Sequence, residues 1–98
     1  MKFETLKEGF IMAKIMIVDD EAAIAMQLEE DIIAMGYEVV GAAASSEEAI
    51  DMAKRLNPDL ILMDIVIKGN LDGIETAKKI RKEAEIPVIF ITAYGKIN

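Results

Sequence analysis

The chain of 98 residues contains neither cysteine nor histidine. Without cysteine there can be no disulfide, thiolate zinc site or thiol nucleophile. Without histidine there is no imidazole base, no imidazole metal ligand and no phosphohistidine step within this chain. Long apolar runs are missing as well. Hydrophobic residues make up 53% of the sequence, yet the longest uncharged stretch, Ile86 to Gly95, is about half of the roughly 20 residues a membrane-spanning helix needs. The opening residues Met1, Lys2, Phe3 and Glu4 alternate charge and bulk and form no signal core. The expectation is a cytoplasmic protein with no membrane contact. Positive charge is scarce: Asp and Glu outnumber Lys and Arg by 18 to 11, a formal net charge of -7. Such a balance repels phosphate backbones, so direct nucleic-acid binding is not expected.

What is present fits one small domain. From Ala13 onward strand-like and helix-like segments alternate with turn signals between them, the pattern of a parallel sheet covered on both faces. Lys14 to Val18 reads as the first strand. Glu21 to Met35 reads as a helix with Ile24, Leu28, Ile32 and Met35 on one stripe, ended by Gly36 at a position that favours a left-handed cap. Tyr37 to Ala44 is the second strand. Ser45, three residues before Glu48, is a candidate capping box for a second helix carrying Ala49, Ile50, Ala53 and Leu56, stopped by Asn57-Pro58. Leu60 to Met63 is apolar throughout and is expected in mid-sheet with both faces buried. A loop containing Lys68-Gly69-Asn70 follows. Asp72 then caps a helix with Ile74, Ala77, Ile80 and Ala84 inward, and Pro87 introduces the last strand, Val88 to Thr92.

Asp19-Asp20 and Asp64 each close a short apolar run where a buried strand should end. Right-handed crossovers gather the carboxyl ends of parallel strands on one sheet edge, and open α/β sheets bind ligands there. Asp19, Asp20, Asp64 and Thr92 are therefore expected to converge. Carboxylates so close need a cation to stay ionised together. A hard ion such as Mg²⁺, which takes carboxylate, carbonyl and water oxygens, suits the set. A plainer role is open for each residue: Asp19-Asp20 as a helix cap, Asp64 as a strand end, and Thr92 as an ordinary β-branched strand residue. An Asp directly after four aliphatics nevertheless carries a desolvation cost unless something pairs with it.

Four segments, taken in order and spacing, resemble the receiver domain of two-component response regulators. They are Ile15-Met16-Ile17-Val18-Asp19-Asp20-Glu21, Pro58-Asp59-Leu60-Ile61-Leu62-Met63-Asp64, Asp72-Gly73-Ile74-Glu75 and Ile86-Pro87-Val88-Ile89-Phe90-Ile91-Thr92-Ala93. The resemblance implies a flavodoxin-like three-layer α/β sandwich with parallel strand order 2-1-3-4, over residues 13–98, after an N-terminal extension of residues 1–12. It implies that Asp64 is the phosphoacceptor, that Asp19, Asp20, Asp64 and the backbone carbonyl of Val66 hold Mg²⁺, and that Thr92 is the switch hydroxyl with the Ala93 amide beside the phosphoryl oxygens. The implied function is phosphorelay signalling, with a sensor histidine kinase or phosphotransfer protein as donor. Such a domain assists its own phosphorylation and is not a turnover enzyme.

Two departures from the family pattern bear on these expectations. Lys68-Gly69-Asn70 stands where many members carry a proline, and the loop is one residue longer, which re-aims it without removing a metal ligand. A complete receiver also continues into a fourth helix, a fifth strand with an active-site lysine, and a fifth helix, none of which falls within the 98 residues. On that reading Val88 to Ile91 becomes an exposed edge that favours homo-oligomer formation through strand pairing or element swapping. Phe3, Leu6 and Phe10 lie at helical spacing and could cover a sheet face, the alternative being a floppy leader. The competing function is a pseudo-receiver acting as a phosphorylation-independent dimerisation or docking module. An aspartate-nucleophile phosphatase is disfavoured by Val66 at the position of its second Asp, and a flavodoxin by Asp19-Asp20-Glu21 in place of a hydroxyl- and glycine-rich loop.

Overall fold

A computed structural model describes residues 4–6 and 9–91, with side chains described from residue 12 onward. Two short strands, β1 (Glu4–Leu6) and β2 (Gly9–Ile11), pair antiparallel with Glu4 opposite Ile11 and Thr5 opposite Phe10. The helical spacing of Phe3, Leu6 and Phe10 therefore does not produce a helix where the structure describes this segment. So short a helix would rest on a costly nucleus, whereas β-branched and aromatic Thr5, Phe10 and Ile11 suit strand pairing. Phe3 lies outside the described residues.

The main sheet has four parallel strands: β3 (Lys14–Val18), β4 (Glu38–Ala43), β5 (Leu60–Asp64) and β6 (Val88–Ile91), in the order β4-β3-β5-β6. This is the 2-1-3-4 order of the flavodoxin-like class. Three helices connect the strands: α1 (Ala22–Ala34), α2 (Ser46–Leu56) and α3 (Gly73–Glu83). Alternation along β3 and β5 divides the core into two layers. Met16, Val18, Ile61 and Met63 pack with Ala49 and Ala53 of α2 and Ala77 and Ile80 of α3. Ile15 and Ile17 pack with Ile32 of α1, flanked by Leu28, Leu60 and Leu62.

The helix ends follow from local chemistry. After α1 the Tyr37 N–H donates to the Ile32 carbonyl at 3.2 Å and the Gly36 N–H to the Ile33 carbonyl at 2.9 Å. Gly36 takes a φ of 98°. This is a Schellman stop, with Tyr37 and Ile32 packed in the same core layer. At α2 the Glu48 N–H donates to the Ser45 hydroxyl at 3.2 Å, but the Glu48 carboxylate takes the Ala44 N–H at 2.8 Å. The expected capping box is thus displaced by one residue on its return arm. Asn57 ends α2 in the left-handed region, with φ 46° and ψ 61°.

Three core expectations need correction. Ile74 is 41% exposed, and Thr76 is the residue of α3 that is fully buried beside Ala77 and Ile80. The α3 stripe is thereby rotated, because the Thr76 hydroxyl donates to the Asp72 carbonyl at 2.6 Å and satisfies its polarity locally. Met35 lies 60% exposed beyond the last turn of α1. In β5 only Ile61, Met63 and Asp64 are buried, while Leu60 and Leu62 are half-buried. Its two faces are unequal although the strand lies between β3 and β6.

Candidate functional site

Register places the acidic residues together. Val18 is the partner of Met63 across the β3–β5 ladder, so the next residues, Asp19 and Asp64, leave neighbouring strands side by side. Each carboxylate then receives the backbone N–H two residues on: Glu21 N–H donates to Asp19 Oδ1 at 2.9 Å, and Val66 N–H to Asp64 Oδ1 at 3.3 Å. Such turns swing the chain off the strand axis while keeping the carboxylates at the sheet edge. The Asp19 N–H donates to the Ala43 carbonyl at 3.0 Å, which extends the β3–β4 ladder up to the acid itself.

Carboxylate oxygens of Asp19, Asp20 and Asp64 lie within 4.8 Å of one another. Asp19 and Asp64 are buried, at 4% and 7% exposure. Burial, the largest cause, pushes the Asp19 carboxyl above its ordinary range; the Glu21 N–H opposes this, and the negative charges of Asp64, Asp20 and Glu21 add to it. A cavity of about 240 Å³ lined by Asp19, Asp20, Ala22, Met26, Ala43 and Ala44 opens beside the cluster. Three hard oxygen donors that crowd and repel one another form a donor set suited to Mg²⁺ or a similar cation.

The other side of the cluster is fixed by the start of α3. Gly73 N–H donates to the Ile65 carbonyl at 2.7 Å. A Cβ at Gly73 would press on the Asp64 carbonyl oxygen and lie 2.8 Å from the Ile65 Cα. Only glycine lets the helix approach the backbone that carries Asp64. Asp72 caps the helix by accepting the Glu75 N–H at 2.8 Å.

The sequence profile of the response regulator receiver domain matches residues 15–98, the span that contains this whole arrangement. The chain belongs to that family. Among relatives, the receiver is 38% identical over 85 residues to a probable transcriptional regulator, ycf27, of Porphyridium aerugineum, covering 87% of this chain and 35% of that protein. Among solved structures it superposes on the signal receiver domain of a modulated diguanylate cyclase from Desulfovibrio desulfuricans G20 with a TM-score of 0.79, at 38% identity over 84% of this chain and 65% of that one. It also superposes on the anti-anti-sigma factor PhyR of Bartonella quintana, solved in complex with the anti-sigma factor NepR, with a TM-score of 0.75, at 40% identity over 82% of this chain and 33% of that one. The receiver spans about a third of the length of the ycf27 relatives it matches.

Of the residues singled out by sequence, the receiver brings Asp19, Asp20 and Asp64 together, with Val66 following Asp64 on the exposed loop. Thr92 and Ala93 lie outside the described residues. No described helix is long and apolar enough to cross a membrane. Sequence reasoning did not anticipate that the loop after Asp64 is tied to α2. Ser46 N–H donates to the Lys68 carbonyl at 2.9 Å, Asn70 N–H donates to Glu47 Oε2 at 3.0 Å, and Leu71 N–H donates to the Ser46 hydroxyl at 3.4 Å. The available signal was Gly69, a glycine in a loop of irregular length, which takes a φ of 112°.

Proposed function

We propose that this receiver accepts a phosphoryl group on Asp64 from the phosphohistidine of a sensor kinase or phosphotransfer protein. The observation that supports it most is the register-adjacent pair Asp19 and Asp64 with Asp20 close by. A carboxylate oxygen of Asp64 forms a P–O bond as the donor's P–N bond breaks, and that electron pair returns to the imidazole nitrogen. Asp19, Asp20, Asp64 and the Val66 carbonyl are the groups that would hold Mg²⁺. Bound there, the ion neutralises charge between the carboxylates and the incoming phosphoryl oxygens. The Glu21 and Val66 amides keep the Asp19 and Asp64 carboxylates oriented. Thr92 and Ala93 supply a hydroxyl and an amide to the transferred group. The domain works as a stoichiometric acceptor.

Acetyl phosphate or beryllofluoride with Mg²⁺ tests this directly. Wild type should acquire one alkali- and hydroxylamine-labile phosphate or one beryllofluoride adduct, and Asp64→Asn should acquire neither; absence of both from wild type overturns the reading.

The likeness to PhyR, a protein solved with a bound anti-sigma factor, favours one second reading, a docking module whose partner binding does not depend on phosphorylation. A partner held equally by wild type and Asp64→Ala supports it. A partner held only by the phosphorylated wild type supports the first reading instead.

A further inference from the structure

We infer that the first turn of α2 is a clasp that sets the position of the loop after Asp64, with Ser46 and Glu47 as positioning residues for the metal ligand Val66. This deepens the phosphoacceptor reading and rests on it, because it assigns the clasp a role only if Val66 faces a cation. Three hydrogen bonds join the two segments, the first of them part of a parallel bridge between Ser45 and Lys68. Ser46 N–H holds the Lys68 carbonyl at 2.9 Å, the Ser46 hydroxyl accepts the Leu71 N–H, and Glu47 accepts the Asn70 N–H at 3.0 Å. Ser46 is 1% exposed, so its hydroxyl is an internal partner, not a solvated one. Gly69 passes so close that a Cβ there would strike the Ser46 hydroxyl and lie 2.9 Å from its backbone nitrogen.

The chemistry follows from where the ties fall. Val66 sits between two anchors, its own N–H on Asp64 Oδ1 and the Lys68 carbonyl on Ser46 N–H. Val66 is 74% exposed, so these backbone ties, and not packing of its own side chain, position its carbonyl. A segment pinned at both ends has few conformations left, and a metal ligand held in place loses less entropy on binding.

Mg²⁺ titration of the whole chain, read by calorimetry and by the amide chemical shifts of Val66 and Lys68, separates the possibilities. Ser46→Ala should weaken Mg²⁺ by about tenfold, the lower end of the range for groups that orient metal ligands, and should broaden or shift the Val66 amide before metal is added. Glu47→Ala should weaken it roughly two- to tenfold, as for one net hydrogen bond, and Glu47→Gln, which keeps an acceptor, should restore most of the loss. Glu47 is on the surface, so its variants fold even where Ser46→Ala does not. Arg55→Ala, on the same helix and facing solvent, should bind as wild type. Wild-type affinity and unchanged Val66 shifts in both Ser46→Ala and Glu47→Ala, with binding abolished by Asp19→Asn, would overturn the clasp and leave the metal site standing. Absence of Mg²⁺ binding in wild type itself would overturn both.

Discussion

The two faces of the sheet are built from adjacent residues of the same strands and are not equally sealed. On the face covered by α2 and α3, Met16, Ile61 and Met63 are wholly buried. On the face covered by α1, Ile15 and Ile17 of β3 are just as buried, but Leu60 and Leu62 of β5 are only half-buried. Helix number explains the difference: among the described residues, two helices shield one face and one helix the other. The sealed face also carries the clasp and the Gly73 contact, so rigidity is concentrated on the side that positions the loop beside Asp64. Asp19 and Asp64 belong by strand alternation to the less sealed side, and a cavity opens beside Asp19 and Asp20.

Neighbouring truncations in β5 put this contrast to its severest test. Ile61→Ala opens a cavity in the sealed layer and should cost about 2 to 5 kcal/mol of unfolding free energy. Leu62→Ala, one residue along and facing α1, should cost roughly half as much, in proportion to the apolar area it withdraws from water. Chemical denaturation of the two variants decides the matter, and equal losses would show that the faces do not differ energetically.

A smaller loss is expected at Gly73. Alanine there must push back either α3 or the strand end at Asp64 and Ile65, an overpacking cost of about 1 to 3 kcal/mol. If the sealed face sets the site, this substitution should also lower beryllofluoride binding by more than a comparably destabilising change in the other core layer, such as Ile32→Val in α1. Equal binding at equal stability would uncouple packing from the site.

How far the sequence reveals this arrangement depends on how local each cause is. The helix stops at Gly36 and Asn57 follow from patterns within a few residues, the convergence of Asp19, Asp20 and Asp64 from crossover topology, and the strand order from the family resemblance, and all are readable. Thr76 replacing Ile74 on the inner face is not, because a threonine hydroxyl that bonds its own helix behaves as a small apolar residue only once the helix exists. The N-terminal pairing was hidden by apolar spacing that suits two structures. Ser46 was obscured by its neighbour: Ser45 explains the helix cap, and nothing nearby tells that Ser46 reaches a loop more than twenty residues ahead. Contacts between distant segments leave only indirect traces, here a glycine and an extra residue in the loop.

The gentlest perturbation acts on charge at the same sheet edge. Burial and neighbouring acids raise the Asp19 pKa in the folded state above the value of about 3.9 for an unfolded chain. The folded protein therefore holds that proton more tightly than the unfolded one. As pH rises from the unfolded value through the folded one, stability contributed by the protonated acid is lost, and above the folded pKa the whole penalty of the buried charge is present. Asp19→Asn removes the charge and keeps an oxygen to accept the Glu21 N–H. In the absence of divalent cations it should raise the melting temperature modestly at pH 7, with the gain shrinking toward zero as pH falls to about 4, below which both proteins carry an uncharged side chain. Mg²⁺ should reverse the ranking at pH 7, since a ligand bound only by the folded wild type stabilises it in proportion to the logarithm of its concentration. Melting curves across pH, with and without Mg²⁺, check both signs. A wild type more stable than Asp19→Asn at pH 7 without the ion would mean that the sheet edge tolerates its charges as it stands, and that the more open face of the sheet hydrates them well enough to need no cation.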